Sequence, residues 1–491
     1  MNKCSKILRK VIANRKVEMK KILLVFILCY ICLNLSFSQE IGLTIYNQNL
    51  GLVKDKRTIK INKGIQKVEF IDVAAKIDPT SVHFKSLTDP EKCSVLEQNF
   101  EYDLISRDKL LQKYIGKEIE IERRIGKDGE KKEIIKGTLL STAGGLTIKS
   151  DDKILVNPSG EVALSKIPEG LILKPTLSWL LQSEISGENK IEVDYLTEGI
   201  NWNADYVVVS DNDDKNIDLN GWVTIDNKSG ATYKDAKLKL IAGDIHRSAP
   251  EMLSEADGMY ETKAMRSVAV PQFKEKSFFE YHMYTLQRKS TVKNNETKQI
   301  EFASAASVPV KKLYIYDGSV QKFYGYQPWS RTDKNYGIQS NKKVYVMLDF
   351  KNSKENNLGI PLPKGKIRVY KEDTDKSLEF IGEDSIEHTA KDENIRIYLG
   401  DAFDIIGERV QTDFKCGDKW CDETFKITLR NHKEENIEVT VVEKLYRWSN
   451  WKISQKSQDY AKKDSRTIEY KLKVPKNSEN IITYVVHYWW D

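Results

Sequence analysis

Cysteine is scarce in this chain: there are six cysteines in 491 residues, and three of them lie within the first 38. The other three cannot form a disulfide framework, so apolar cores must stabilise the fold. Cys416 and Cys421, in the segment KCGDKWC, are close enough in sequence to bridge a tight hairpin turn, which leaves Cys93 as a free or buried thiol. A zinc site at the pair is the alternative, although only His432 lies nearby and no second Cys/His pair follows.

Several signatures of common enzymes and repeat proteins are also missing. The chain has no phosphate-binding P-loop, no dinucleotide-binding glycine pattern, no long heptad repeat and no solenoid period. These absences argue against a nucleotide-binding α/β enzyme, a coiled coil and a repeat array.

The N-terminus has the pattern of a secretory signal peptide. The tripeptide MKK, which starts at Met19, precedes an apolar run of about 14 residues that ends in a small-x-small motif at residues 36–38. That run is shorter than the roughly 20 residues of a membrane-spanning helix. We therefore predict that residues 1–38 are a signal peptide cleaved before Gln39, with an uncleaved N-terminal anchor as the alternative. The cleaved protein would be secreted, periplasmic or on the outer surface, without a membrane span.

The basic balance of the whole chain belongs to this N-terminal segment. The chain carries 78 Lys and Arg and 72 Asp and Glu, a formal net charge of +6. Residues 1–38 contain eight of the basic residues and one acid, Glu18, so residues 39–491 carry a net charge of −1. A nearly neutral chain gives no electrostatic reason to expect nucleic acid as a partner.

Strand patterns dominate residues 39–491 and predict a mainly β, multi-domain protein. Val, Ile, Thr and Tyr alternate with polar residues in short runs separated by Asn, Asp, Gly and Lys. One early helix is predicted in DLISRDKLLQKYIG, where leucines and a tyrosine form a partial apolar stripe. Five short strands follow within about 50 residues, which indicates a small SH3-like barrel. Strands spaced about ten residues apart indicate β-sandwich units in the rest of the chain.

These patterns divide the chain after the signal peptide into four predicted regions. They are an N-terminal β region (39–105), a small β-barrel (106–168), a β-sandwich (169–315) and a second sandwich-like part (316–491). Periodicity is lost in residues 246–275, which hold prolines and many small or charged residues. We predict a long mobile insertion there, either a disordered surface loop or a regulatory lid.

Several segments between about residues 171 and 490 form an ordered set: YLTEGINWNADYVV, GWVTIDNKSGATYKDAKLKLIAGDI, GIPLPKGKIRVYKED, FIGEDSIEHTAKDE and YLGDAFDIIGER. Together they resemble the bacterial domain-of-unknown-function family 4139. A more distant resemblance is to mucoidy-inhibitor-like proteins, and the ending SFSQ of the signal peptide resembles Bacteroidetes secretory signals. The resemblance implies a secreted, β-rich protein with a link to the cell envelope. It brings no catalytic or binding residues with it.

Acidic residues and histidines offer one catalytic hypothesis, a metal-assisted hydrolase. The segment LIAGDIHRS places Asp244 and His246 just after a predicted strand, and EYHMYTL places Glu280 and His282 on one strand face. A carboxylate two residues from an imidazole can orient it for acid/base work. With His388, these histidines and Asp244 would form a metal site if the fold brought them together. Otherwise they are turn caps and packed strand residues.

The segment GEDSIEHTAKDEN, residues 382–394, is the most acidic candidate. If DSIEHTA is a strand, Asp384 and His388 share a face but lie about 13 Å apart, at about 3.3 Å of rise per residue. They could then hold one ion only across a bend. We predict a charged strand edge followed by a hairpin turn, with Lys391 and Asp392 exposed.

Aromatic residues offer a binding hypothesis instead. Tyr324, Tyr326 and Trp329 lie close together in the Gly- and Pro-containing segment DGSVQKFYGYQPWSR. Exposed Tyr and Trp can act as platforms for sugar rings, and they dominate the energetics of protein interfaces. Core packing is expected to explain most of the nine tryptophans.

The sequence therefore favours a non-enzymatic binding or assembly module of the envelope or the extracellular space. Its partner would be a protein or a glycan, and no cofactor is expected. The alternative is the metal-assisted hydrolase, acting on an envelope polymer.

Overall fold

A computed structural model describes residues 39–125, 131–243, 272–319 and 331–491. Strands hold 64% of the residues and helices 4%, arranged in several sheets, which confirms the predicted mainly β fold. In the part of the chain that is described, no helix has the length and apolar character needed to cross a membrane.

Helical elements within the described residues include α1 (Arg107–Tyr114) and two short 3-10 turns, Pro79–Ser81 and Lys354–Asn356. The strands of the first half, in chain order, are β1 (Glu40–Tyr46), β2 (Leu50–Ile61), β3 (Gly64–Ile71), β4 (His83–Ser86), β5 (Cys93–Glu101), β6 (Glu118–Ile125), β7 (Lys131–Ser141), β8 (Thr147–Ser150), β9 (Lys153–Val156), β10 (Glu161–Ala163), β11 (Thr176–Ser183), β12 (Gly187–Thr197), β13 (Ile200–Ser210), β14 (Asn216–Asn227) and β15 (Tyr233–Ala242). Those of the second half are β16 (Phe273–Phe278), β17 (Tyr281–Leu286), β18 (Ser290–Val292), β19 (Glu296–Pro309), β20 (Lys311–Asp317), β21 (Lys343–Lys351), β22 (Gly365–Glu372), β23 (Leu378–Ile386), β24 (Asn394–Cys416), β25 (Trp420–Asn431), β26 (Ile437–Lys444), β27 (Trp451–Lys456), β28 (Ala461–Lys462), β29 (Thr467–Val474) and β30 (Ser478–Trp489).

The chain forms two compact units. The first holds the described residues as far as Asn201, together with Asp226–Lys239 and Arg288–Glu296, and the second holds the other described residues. Hydrogen bonding runs across the predicted region boundary at residue 169, because β11 pairs with β3 and β5, and β12 pairs with β2 and β4.

The first unit contains three sheets. Their strand orders are β15-β1-β2-β12-β4, with β18 on β15; β3-β11-β5; and β10-β6-β7-β8-β9. Trp179 on β11 is fully buried, and its ring lies 5.6 Å from that of Phe70 and 5.1 Å from that of Phe84. Its indole N–H donates to Gln98 Oε1 at 2.9 Å, so the large ring is buried without an unpaired donor.

The helix and the five short strands predicted between residues 103 and 167 are all present. Ser106 caps α1 by accepting a hydrogen bond from the Lys109 N–H. Leu111 and Tyr114 on its buried side pack against a small apolar core formed by Ile119, Ile121, Leu139 and Ile148. The helix therefore closes the core of the β6–β10 sheet, which is too small to be covered by strands alone.

The second unit contains a five-stranded sheet of order β19-β14-β13-β22-β23 and a nine-stranded sheet of order β27-β30-β25-β24-β21-β20-β26-β29-β28. Buried and less buried residues alternate along β25 and β30, so each strand has one core face. Tyr470 on β29 and Tyr484 on β30 meet in that core, 5.9 Å apart. The two ends of the large sheet thus pack face to face, as in a sandwich.

The predicted insertion at residues 246–275 is wrong at its C-terminal end. Phe273–Phe278 forms β16, which pairs in register with β17, so residues 273–275 belong to a strand. The rest of that segment, residues 246–271, lies outside the described residues.

Two strands end at a fully buried asparagine that binds the backbone in the same way. The side-chain amide of Asn431 donates to the carbonyls of Glu435, Val474 and Pro475 at 2.9, 3.2 and 2.9 Å, and its Oδ1 accepts from the Lys433 N–H. The carbonyls and the N–H belong to two chain segments, so one side chain joins a turn to a neighbouring strand end.

Asn227 repeats this pattern at the end of β14. Its amide donates to the carbonyls of Ala231, Val292 and Lys293, and its Oδ1 accepts from the Ser229 N–H. The spacing is identical, with the carbonyl four residues on and the N–H two residues on. Buried backbone groups at strand ends need such partners, since an unpaired one costs stability.

We predict that Asn431→Ala lowers the free energy of unfolding by about 3 kcal/mol, because it removes a fully buried amide that makes four hydrogen bonds to the backbone. Asn436→Ala is the matched control, since Asn436 is exposed and its side chain accepts a single hydrogen bond from the Lys476 N–H. Urea denaturation measures both. Equal, small shifts for the two variants would contradict a structural role for Asn431.

Candidate functional site

Five of the residues predicted as functional lie outside the described residues. They are the aromatic group Tyr324, Tyr326 and Trp329, and the first two members of the proposed metal set, Asp244 and His246. His282 and His388 are described, and they have different surroundings.

His282 lies on β17 and pairs with a carboxylate from the neighbouring strand. Its Nδ1 is 2.8 Å from Glu275 Oε1 on β16. Glu280, which the sequence places on the same strand face, lies in the turn between β16 and β17 instead. The partner of the imidazole was missed because strand pairing, rather than local spacing, brings it close.

His388 lies beyond the end of β23, so the prediction that DSIEHTA forms a strand is wrong for its last residues. The strand ends at Ile386, and the exposed His388 accepts a hydrogen bond at Nδ1 from the Lys364 N–H at 3.1 Å. A turn with exposed Lys391 and Asp392 is present as predicted, but it is not a hairpin turn, because β23 and β24 belong to different sheets. Among the described residues no three His, Cys, Asp or Glu side chains are grouped to hold a metal. A site that includes Asp244 and His246 stays a prediction.

The most distinctive surface of the described residues is an aromatic platform formed by Trp420, His487 and Trp489. Trp420 on β25 and Trp489 on β30 are directly opposite each other in the antiparallel pair. The His487 ring stacks on both, with centroids 6.1 Å from Trp420 and 5.8 Å from Trp489 and interplanar angles of 24° and 27°. Each of the two tryptophan residues is 39% exposed.

Asp422 fixes the imidazole in this stack. It lies directly opposite His487 on β25, and its Oδ1 is 2.7 Å from His487 Nδ1. A carboxylate accepts, so Nδ1 donates, and the neutral ring retains Nε2 as an acceptor. The platform therefore combines two indole rings with a fixed imidazole and a carboxylate.

Lysines flank this row on the two neighbouring strands of the sheet, β24 and β27. Lys415 on β24 is in register with Asp422, and Lys452 on β27 is in register with His487. Lys415 also forms an ion pair with Asp413 at 2.9 Å. Lys452 is exposed at the open side of the platform.

The turn that precedes Trp420 is held closed. Cys416 and Cys421, which are in register across β24 and β25, are joined by a disulfide. The Gly417 N–H donates to the Trp420 carbonyl at 2.9 Å. A Cβ atom at Gly417 would overlap Trp420 Nε1, so glycine is needed for the indole to lie over the turn. Trp420 is thus held in the short loop that the disulfide closes at the end of the β24–β25 hairpin.

A buried ion pair lies beneath the platform. Glu423, next to Asp422 but on the core face of β25, is fully buried and pairs with Arg447 at 2.7 Å. The same Glu423 oxygen accepts from Tyr446 OH and from Gln411 Nε2, both at 2.8 Å. Burying two charges is tolerated here because each has several hydrogen-bond partners.

Arg447 also holds the chain that leads into β21. Its Nη1 donates to the carbonyls of Arg331 and Asp333, and its Nη2 donates to that of Tyr336. Cys421 Sγ lies 3.3 Å from the Arg331 carbonyl oxygen. The disulfide, the ion pair and this segment therefore form one connected structure.

A second buried pair extends the network along the same core. Arg409 binds both carboxylate oxygens of Glu443 through Nε, at 2.9 and 3.1 Å, and it donates to the Gly337 carbonyl at 3.1 Å. Tyr484 OH donates to the same carboxylate. The guanidinium lies 3.8 Å from the ring centroid of Phe425, which adds a cation–π contact.

Burial and charge set the protonation states of this network. Burial raises the pKa of Tyr446 and of Tyr488 well above the usual value, so both stay neutral at pH 7. Burial disfavours charge on Arg447, but the adjacent Glu423 outweighs this effect and raises the pKa of the guanidinium. The layer under the platform is therefore a fixed set of charges and neutral phenols.

The sequence contains local signals for this site, but none that connects the two strands. The alternation in HYW places His487 and Trp489 on one face and Tyr488 on the other. Trp420 directly precedes Cys421, so a Cys416–Cys421 disulfide would place Trp420 in the turn of a hairpin. What the sequence does not give is the register between β25 and β30, which brings Trp420 opposite Trp489.

We predict that Glu423→Gln destabilises the second unit by about 3–5 kcal/mol, because it leaves the buried Arg447 guanidinium without an anion. Glu408→Gln on β24 is the control, since Glu408 contacts Arg430 at the surface and its loss should change stability little. Guanidinium chloride unfolding followed by tryptophan fluorescence compares the two. A small effect at Glu423 would show that the buried pair is not needed.

We predict that reducing the Cys416–Cys421 bond lowers the unfolding free energy by about 2 kcal/mol, from the entropy of the short loop that it closes. Denaturation with and without reductant measures this loss. The double variant Cys416→Ser/Cys421→Ser is the control, because reductant should leave its stability unchanged. A parent protein that is insensitive to reductant would contradict a stabilising bond.

In comparisons with known proteins, no protein-family model and no curated protein matches the chain.

Proposed function

We propose that this protein is a non-enzymatic binding module of the cell envelope or the extracellular space, and that it recognises a glycan through Trp420, His487 and Trp489. The observation that carries the proposal is the stacked, solvent-facing platform itself. Large aromatic rings are normally placed in the core, as Trp179 and Trp202 are in this chain. Two partly exposed indoles on one sheet face, with an imidazole stacked between them, favour ligand recognition.

The chemistry of the platform suits a sugar. The C–H face of a pyranose is apolar and stacks on an indole, while its hydroxyl groups need donors and acceptors at the ring edge. Asp422 and His487 supply acceptors beside the rings, and Lys452 supplies donors. A flat platform also accepts a run of sugar units, which is how a polysaccharide would be bound.

The structure around the platform restricts the movement of its rings, which favours ligand binding. The disulfide turn, the cross-strand register and the buried Glu423–Arg447 pair all restrict Trp420 and its neighbours. Rings that are already fixed lose little conformational entropy when a ligand binds. A disulfide also suits an oxidising compartment outside the cytosol, in keeping with the predicted signal peptide and the resemblance to a secreted β-rich family.

We predict that Trp420→Ala and Trp489→Ala each weaken polysaccharide binding by about tenfold, because each removes a stacking surface. Affinity electrophoresis in gels containing dextran, xylan, mannan or chondroitin sulfate, with quenching of tryptophan fluorescence, measures the binding. Trp222→Ala is the control, since Trp222 is half-buried on β14, away from the platform strands.

The double variant Trp420→Ala/Trp489→Ala should lose retardation in every gel that retards the parent. Retention of binding by that double variant would place the glycan elsewhere. Parent protein that migrates freely through all four gels would argue against the proposal for these polysaccharide classes.

A further inference from the structure

The tip of the β16–β17 hairpin presents aromatic side chains to solvent. Phe278 pairs directly with Tyr281, so Phe279 and Glu280 form a two-residue turn between the strands. Phe278 is 50% exposed and Phe279 is 82% exposed. The rings of Phe279 and Tyr281 lie 6.2 Å apart, so the tip carries a contiguous aromatic group.

Phe279 has a backbone conformation that a phenylalanine rarely adopts. Its φ is 57°, in the left-handed region that favours glycine. Apart from Ser307 and Lys376, the other described non-glycine residues with positive φ are asparagine or aspartate, which tolerate this region. A strained, exposed aromatic at a turn is unfavourable for stability, and such outliers indicate a functional constraint.

One face of the hairpin is basic as well as aromatic. Lys274, Lys276 and Phe278 alternate along β16 and share this face, and the Lys276 ammonium lies 5.9 Å from the Phe278 ring centroid. The acid of the same strand, Glu275, belongs to the opposite face and is bound to His282. The aromatic tip is thus bordered by two lysines on one strand face, and the exposed Glu280 in the turn is the acid beside it.

The base of the hairpin is firmly held. Tyr284 on β17 is buried, with its ring 6.4 Å from that of Trp202 and 6.0 Å from that of Phe302. Its hydroxyl donates to the Pro361 carbonyl at 2.8 Å. The base of the hairpin is therefore packed and hydrogen-bonded, whereas Phe278 and Phe279 at its tip are exposed.

We propose that this tip inserts into the interfacial region of an anionic lipid bilayer. A two-residue turn is convex and offers no groove, so it suits penetration into a soft surface. Aromatic rings are favoured at the level of lipid headgroups, and nearby lysines are attracted to anionic ones. Apolar area and basic charge together set the strength of such binding. The contact is separate from the aromatic platform and would hold the platform close to a membrane.

The test is co-sedimentation of the full chain with vesicles of phosphatidylcholine, with and without phosphatidylglycerol. We expect the parent to bind the anionic vesicles. The variant Phe278→Ser/Phe279→Ser should bind them at least about tenfold more weakly, because two apolar side chains can no longer insert into the bilayer. Lys274→Gln/Lys276→Gln should weaken it by about fivefold per lysine at low salt, and added salt should weaken the parent in the same way. All variants keep the parental N-terminus, so residues 1–38 contribute equally.

Two further variants separate function from folding. Phe403→Ser is the matched control, since Phe403 is a 95% exposed phenylalanine on β24, and it should bind vesicles as the parent does. Phe279→Gly relieves the positive φ, so it should raise the melting temperature while lowering vesicle binding. That combination would not arise if Phe279 were only structural.

Three results would overturn the proposal. The first is that the parent fails to sediment with anionic vesicles. The second is that Phe403→Ser loses as much binding as the tip variants. The third is that Phe279 drives dimerisation without lipid, which would make a second copy of the chain the partner. The vesicles contain no sugar polymer, and Trp420→Ala/Trp489→Ala should bind them normally. Failure of this proposal therefore leaves glycan binding intact, and the reverse also holds.

Discussion

The buried pair between Glu423 and Arg447 is the interaction on which the candidate site depends. A charge inside a sandwich core is costly unless its partners are fixed, so the pair requires the segments around it to stay in place. Arg447 satisfies this requirement by binding carbonyls of the chain from Arg331 to Tyr336, and Glu423 by accepting from Tyr446 and Gln411. The hydrogen bonds that stabilise the buried charges therefore also hold these segments in place at one end of the sheet.

That order reaches the surface because a strand has two faces. Glu423 and Tyr488 point into the core, while Asp422 and His487, one residue before each of them, lie on the outer face. Any shift of register that moved the outer rings would also remove the buried ion pair from its partners. Two features therefore fix the positions of the platform residues: the buried ion pair on the opposite face of the same strands, and the disulfide-linked turn next to Trp420.

Local patterns in the sequence predicted much of this fold, whereas long-range pairing was not predictable from them. Helix α1 and strands β6–β10 follow from spacing within a few residues, and all were expected. The pairing of β11 with β3 and β5 joins segments that are distant in sequence, so the region boundary drawn at residue 169 does not follow the sheets. The same limitation concealed the site: Glu275 reaches His282, and Trp420 reaches Trp489, only through cross-strand register.

The residues that break local rules are the ones that stand out at the surface. Trp420 and Trp489 expose part of their large apolar rings, which would be more favourably placed in the core. Phe279 is exposed and has a positive φ, a conformation in which glycine would be less strained. Each lies on a packed element: Trp420 and Trp489 are on strands whose core face carries the buried ion pair, and Phe279 is at the end of a hairpin held by the buried Tyr284. A packed core can hold such side chains at its surface, and under the two proposals above the binding of a ligand would relieve their exposure.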